Sequence, residues 1–250
     1  MIKGFLIDVE GTIIESDLAI DGAIDVINRI KSKYRLLLLS NTTNNTGLDI
    51  ANKLNKLGFD INEEEVFTAL DAIKRYLIVN KLKPFLLSSE KTRRVLNEFS
   101  SEPYDSVVVT HARENFTYEN INKAFRLILN GCKFISSGLT KYFKDKDGYF
   151  SLDAGAFTYA LKYSTGVEPI ILGKPSKDFF ILGINSISLK PNEVVVVGDD
   201  VENDIKPASE IGMKTVLVKS GKFRDSDLLK GITPDFVIDT IKELDKVVEI

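Results

Sequence analysis

Five apolar runs recur along the chain: GFLID at 4–8, RLLLLSN at 35–41, SVVVT at 106–110, PIILGK at 169–174 and EVVVVGDD at 193–200. Their hydrophobicity is continuous rather than alternating, the pattern of strands covered on both faces, as in parallel sheets. Residues 21–32, 46–57, 68–80, 117–130, 176–186 and 239–248 carry apolar positions at helical spacing, several introduced by Ser, Thr, Asn or Asp. The alternation predicts an α/β fold.

The middle of the chain has a different texture. Residues 83–167 hold their own strand and helix signals and a polar stretch, TKYFKDKDGYF at 140–150, that reads as a hairpin. No Pro/Gly/Ser-rich linker marks either edge, and neither repeats nor low-complexity tracts occur. The expected division is one domain made of 1–82 and 168–250, with 83–167 inserted as a second. An insertion at this point would form a lid that excludes water and selects substrates; one continuous, larger sheet is the alternative.

Polar residues gather where the apolar runs stop. Asp8 and Glu10 follow the first, Ser40 and Asn41 the second, Lys174 a later one, and Asp199 with Asp200 the last. Each alone has a bland reading as a cap, a solvated charge or a turn. Ligands of open α/β sheets sit beyond the carboxyl ends of strands, however. Carboxylate, hydroxyl, ammonium and a second acidic pair at four strand ends therefore read as a site.

Composition narrows the chemistry. A length of 250 residues and 44% hydrophobic content are enough for a sizeable core. With 33 basic and 36 acidic side chains, a formal charge of −3 and no basic block interleaved with aromatics, a nucleic-acid partner is not expected. No apolar stretch reaches the roughly 18–20 residues that cross a bilayer, and the amino terminus lacks a signal-peptide pattern, so a cytoplasmic protein away from membranes is expected. Cys132 and His111 are the sole cysteine and histidine. Intrachain disulfides are therefore impossible, a Cys/His zinc site is implausible, and any metal must be held by oxygen.

Carboxylates at two strand ends suit a hard cation such as magnesium, which commonly accompanies phosphate. A lysine and a hydroxyl facing it would position the remaining phosphate oxygens, with backbone N–H groups of the VEGT turn contacting others. One carboxylate is then left to attack as a nucleophile, and a neighbouring acid can protonate the departing alcohol.

In order, DVEGT at 8–12, SNTT at 40–43, GKP at 173–175 and GDDVEND at 198–204 resemble the four motifs of the haloacid dehalogenase superfamily of phosphatases. The likeness extends over nearly the whole chain. VFTALDA at 66–72, NKAFRLILNG at 122–131, KYFKDKDGYFSLDAGAF at 141–157 and GMKTVLVKSGKFR at 212–224 are similar to its nitrophenylphosphatase-like branch, and within it to phospholysine phosphohistidine inorganic pyrophosphate phosphatases. The resemblance implies a doubly wound parallel-sheet core with an α/β cap inserted between the second and third motifs. It implies Asp8 as nucleophile and magnesium ligand, the Glu10 backbone carbonyl as another ligand, and the Glu10 carboxyl as general acid. Ser40, supported by Asn41, would bind phosphate, and Lys174 would contact nucleophile and phosphate. Asp199 would ligate Mg2+, Asp204 would order the waters around it, and Asp200 would play a supporting part. The stretch Asp153-Ala154-Gly155 either approaches the substrate or caps a helix at 155–164. The implied reaction is hydrolysis of a small phosphorylated metabolite (a phosphomonoester, pyrophosphate or phosphoamide) through an aspartyl phosphate, in a protein for which a homodimer is one assembly open.

The usual family pattern is Asp-x-Asp, and here its second position is Glu10, one methylene longer. A metal contact through the backbone is insensitive to that change, whereas proton transfer is not, so a weakened member that binds phosphate ligands or regulates is the rival reading. A signalling receiver would place its acidic pair first in the chain rather than last, and a dinucleotide-binding fold would show G-x-G-x-x-G after the first strand. Elsewhere the bland readings are preferred: His111 as structural or solvent-facing, Cys132 as a small buried hydrophobe, KSGKFR at 219–224 as a solvated loop, and Tyr142, Phe143, Tyr149 and Phe150 as packing within the inserted domain.

Overall fold

The computed structural model describes residues 1–144 and 149–248, the side chain of Lys144 excepted. From the amino terminus the chain forms β1 (Gly4–Asp8), β2 (Ile14–Glu15), β3 (Leu18–Ala19), α1 (Ala23–Lys33), β4 (Arg35–Ser40), α2 (Gly47–Lys56), β5 (Val66–Thr68) and α3 (Ala69–Asn80). It continues through β6 (Pro84–Leu87), α4 (Glu90–Leu96), β7 (Ser106–Val109), α5 (Tyr118–Leu129), β8 (Lys133–Ser136), β9 (Tyr142–Lys144), β10 (Phe150–Leu152), α6 (Ala154–Thr165) and β11 (Ile170–Ile171). The remainder adds α7 (Lys177–Ser186), β12 (Val194–Gly198), α8 (Lys206–Glu210), β13 (Lys214–Val218) and β14 (Phe236–Ile238).

Two compact units result, one of residues 1–40, 47–68 and 174–250 and one of 41–46 and 69–173. The first is built on a six-stranded sheet in the order β14-β13-β12-β1-β4-β5, and every pairing in it is parallel. Phe5, Leu6 and Ile7 of β1 are all fully buried, as a strand covered on both faces requires. Helix α1 turns Ala23, Val26, Ile27 and Ile30 inward, and α2 turns Ile50, Ala51 and Leu54 inward, each a stripe at helical spacing. The second unit is built on a four-stranded parallel sheet in the order β11-β8-β7-β6, with Val107, Val109 and Phe134 packed against Ala124 and Ile128 of α5 and Leu161 of α6.

The division falls at different residues from those expected. Ile170 and Ile171 pair with Ile135 and Ser136, so β11 completes the second unit's sheet rather than opening a strand of the first. Helix α3 also goes with the second unit, where Lys74 pairs with Glu98 at 3.4 Å and stands over the Phe99 ring. Neither boundary carries a change of composition, so only the pairing reveals them. The helix expected at 239–248 is a 3₁₀ turn at Ile241–Lys246; Ile241 and Leu244, three apart, are buried in a way that suits a three-residue period. The expected hairpin is present as antiparallel β9 and β10, and residues 145–148 between them lie outside the described residues. Among the described residues no helix is long and apolar enough to cross a membrane.

Candidate active site

Strand β1 marks the point where the strand order of the first sheet reverses. From it the chain steps to β4 and β5 on one side, then later to β12, β13 and β14 on the other. Open α/β sheets bind ligands beyond the carboxyl ends of the strands at such a switch point. Register places the polar residues there: Asp8 is aligned with Leu39, one residue before Ser40, and Ile7 with Val197, two before Asp199.

The side chains converge. Lys174 is buried, pairs with Asp8, and lies 2.6 Å from Asp204. Asp8, Asp199 and Asp204 each offer a carboxylate oxygen, all within 4.8 Å of one another. One oxygen of Asp199, Oδ2, accepts the Lys222 backbone N–H at 2.6 Å, while its buried Oδ1 has no hydrogen-bond partner. Burial pushes the Asp8 carboxyl above the usual carboxylate range, with Lys174 pulling it back and Asp199 adding to the rise. Burial likewise pushes Asp204 up to about 6 against the opposing charge of Lys174. Asp199 is raised too, by burial, despite the Lys222 N–H. For Lys174, burial favours the neutral amine, but Asp204 and Asp8 outweigh it and hold the ammonium above its ordinary range. Lys174 thus pairs with two of three clustered carboxylates in a desolvated corner.

Two family patterns match this chain: haloacid dehalogenase-like hydrolase over residues 5–102 and HAD-hydrolase-like over 171–244. Haloacid dehalogenase-like hydrolase domain-containing protein 2 of Rattus norvegicus is 34% identical over 238 residues, covering 95% of this chain and 92% of its own. The chain belongs to the haloacid dehalogenase-like hydrolases. It is also 35% identical to the phospholysine phosphohistidine inorganic pyrophosphate phosphatase of Xenopus laevis, over 90% of this chain and 86% of that protein. Among solved structures, the 4-nitrophenylphosphatase of Thermotoga maritima superposes with a TM-score of 0.88 at 26% identity, covering 99% of this chain and 98% of its own. This hydrolase is therefore an enzyme of the phosphatase type, with a parallel-sheet core and an inserted α/β cap, the second unit.

The acidic cluster fits a hard divalent cation. Its donors are all oxygens, and the buried Asp199 Oδ1 lacks a partner that a metal would supply. The backbone is shaped around that carboxylate. Gly11 has φ +88°, and a Cβ there would stand 2.2 Å from Asp199 Oδ2; Gly221, with φ +52°, would place its own at 2.1 Å from the same atom. Only glycine fits on either side. Ser220 Oγ also donates to the Gly11 carbonyl. The segment KSGKFR, expected as a solvated loop, is thus part of the hydrolase site: its Gly221 and Lys222 clamp Asp199, and its Ser220 holds Gly11 on the other side. Backbone atoms make two of those contacts, so side-chain chemistry could not announce them.

Other expected residues divide. Ser40 ends β4 and is largely buried, while the neighbouring Asn41 belongs to the cap. The Glu10 carboxylate is not one of the three clustered; half exposed, it pairs with Lys53 at 3.0 Å, and Lys53 also holds the Ser16 carbonyl. Asp200 accepts from the Glu202 and Asn203 backbone N–H groups at 3.0 Å each and from Asn203 Nδ2 at 2.6 Å, so it caps the turn that carries Asp204.

Within the cap, Asp153 is the N-cap of α6, its Oδ1 accepting from Ala154 N at 2.7 Å. His111 has the partners of a structural histidine: its Nδ1 lies 3.3 Å from Asp153 Oδ1 and its Nε2 accepts from Arg113 Nε at 3.1 Å. Cys132 is half-buried, close to the Tyr104 carbonyl, and burial raises its thiol pKa. Tyr142, Tyr149 and Phe150 are exposed rather than packed inside, and Phe143 alone of that group sits edge-on against His111.

Proposed function

We propose that this hydrolase is a magnesium-dependent phosphatase that cleaves small phosphorylated metabolites through a phosphoryl-Asp8 intermediate. The observation that carries the reading is Lys174 buried between Asp8 and Asp204, beside an Asp199 oxygen with no partner. An Asp8 oxygen attacks phosphorus, the bond to the leaving oxygen breaks, and the departing alcohol takes up a proton; water then releases phosphate and regenerates Asp8. Lys174 favours the ionised form of Asp8 against the effect of burial and orients the oxygen that attacks, since its ammonium is fixed by Asp204 on the other side. Asp8, Asp199 and Asp204, with the Glu10 carbonyl, would hold Mg2+, whose charge offsets that of the transferring phosphoryl group. Ser40, at the end of the adjacent strand, would bind the phosphate. The named activities of the relatives, on nitrophenyl phosphate and on pyrophosphate or phosphoamides, set the range of substrates to screen.

Hydrolysis of p-nitrophenyl phosphate with and without Mg2+, compared between the native protein and Asp8→Asn, tests this directly. Metal-dependent turnover that the substitution abolishes is expected. Folded protein with no turnover above the Asp8→Asn background would overturn it. The pairing of Glu10 with Lys53 favours a second reading, a weakened catalyst that retains phosphate-ligand binding, and tight binding of such a ligand without turnover would identify it.

A further inference from the structure

The β2–β3 hairpin follows Asp8 almost directly, and the short segment between them is bonded to its base. Ile13 N and Ile14 N both donate to the Val9 carbonyl at 3.1 Å, Gly11 N donates to that of Ile14 at 2.8 Å, and Glu10 bridges to Ile14. Ile13 and Ile14 are fully buried in the core of the first unit. The base is thereby fixed, whereas the tip turns at Ser16, with φ +57°, and leaves Leu18 exposed.

Lys53, on α2, ties tip and base together. Its Nζ donates to the Ser16 carbonyl at 2.9 Å and to Glu10 Oε1 at 3.0 Å, and it lies 3.4 Å from Asp17 Oδ1. Three acceptors match the three protons of an ammonium. A lone ion pair this exposed contributes little, because two long side chains must be ordered for it. Here the carbonyl at the tip already orders Lys53, and Glu10 starts from a backbone that is itself bonded. The Glu10 carboxylate is thus held at the hairpin and stands outside the cluster of Asp8, Asp199 and Asp204.

We propose that Lys53 is a positioning residue that withholds the Glu10 carboxyl from the leaving group, and so limits the enzyme to phosphates whose leaving group departs as a stabilised anion. Anhydrides and aryl phosphates form that class; esters of simple alcohols do not. The inference rests on the phosphatase reading. As an Asp8 oxygen bonds to phosphorus, the bond to the leaving oxygen breaks and its electron pair stays on that oxygen. A phosphate or phenolate leaving group holds the pair unaided and takes its proton from water afterwards. An alkoxide needs a donor within about 2.6–3.2 Å as the bond breaks. A carboxylate that accepts from Lys53 at the hairpin does not supply one.

The test compares kcat/KM for p-nitrophenyl phosphate and propyl phosphate within each variant, so that lowered stability cancels. Lys53→Met should narrow the ratio by about tenfold or more through faster turnover of propyl phosphate, part of the roughly 10²- to 10⁴-fold that a placed acid supplies. Lys53→Met combined with Glu10→Gln should return the native ratio, because the gain needs the carboxyl. Lys53→Arg supplies donors to the same acceptors and should narrow the ratio less than Lys53→Met. Asp17→Asn loosens the tip without freeing Glu10 and should leave the ratio unmoved. A ratio that Lys53→Met does not change, or that narrows equally in the double variant or in Asp17→Asn, overturns the inference while the phosphatase reading stands. Absence of p-nitrophenyl phosphate turnover in folded native protein overturns that reading, and the inference with it.

Discussion

Lys174 Nζ lies 2.6 Å from Asp204 Oδ1, and the two side chains are 4% and 2% exposed, so this ion pair is made almost entirely out of water. A buried pair of this kind is strongly destabilising when one partner is removed. Replacing Lys174 with Met strands two carboxylates, Asp8 and Asp204, without their cation. Lys174→Met is expected to lose about 3 kcal/mol of unfolding free energy in metal-free urea titrations and about 10²-fold or more of p-nitrophenyl phosphate turnover, since the group that steadies the attacking carboxylate is gone.

Asp8, Asp199 and Asp204 cluster beside the buried Lys174, and a divalent cation would neutralise the negative charge that the ammonium does not offset. Magnesium at about 100 times its dissociation constant should stabilise the protein by about 2.7 kcal/mol, seen as a rise in Tm of several degrees. Asp199→Asn removes the carboxylate with the unpartnered oxygen and should abolish that rise. EDTA should reverse both the rise and the turnover of the native protein. A full Mg2+-dependent shift in Asp199→Asn would place the metal elsewhere.

Glu10 is held by Lys53 rather than standing with the acidic cluster. General acid help from a well-placed group amounts to about 10²- to 10⁴-fold. Glu10→Gln is expected to lower turnover of an alkyl phosphate less than about tenfold, and that of p-nitrophenyl phosphate hardly at all, because the nitrophenolate leaves without needing a proton. A loss of about 10²-fold on the alkyl ester alone would show that the carboxylate leaves Lys53 during turnover.

Two glycines with similar backbones should behave differently. Gly11 (φ +88°) would drive a Cβ into the Asp199 carboxylate, whereas Gly212 (φ +83°) would meet nothing within 4 Å. Gly212→Ala should lose only about 1–2 kcal/mol, the strain of a left-handed alanine, and leave turnover intact. Gly11→Ala should add displacement of Asp199 to that strain and weaken Mg2+ binding at least tenfold in a titration. Equal effects of the two substitutions on metal affinity would show that Asp199 is not held as described.

The sequence by itself determined the class of fold and most of the acidic machinery. Continuous apolar runs specify doubly covered strands, because a strand with no polar face has no side to give to water, and the acids that end them stand out against that background. Register then brought Asp8 and Asp199 together, as residues at adjacent strand ends must be when the strands pair in parallel, whereas Lys174 and Asp204 follow no strand end of that sheet directly and join them only through the tertiary fold. Tertiary structure alone decided the rest. The clamp on Asp199 is made by a backbone N–H of Lys222 and by the absence of a Cβ at Gly11 and Gly221, neither of which has a side-chain signature. The same holds for the Arg113-His111-Asp153 chain, drawn from segments some forty residues apart, the loop after β7 and the start of α6. Glu10 stands where the motif places it, yet its partner Lys53 comes from another element, and long-range pairing of charges leaves no periodic trace along the chain.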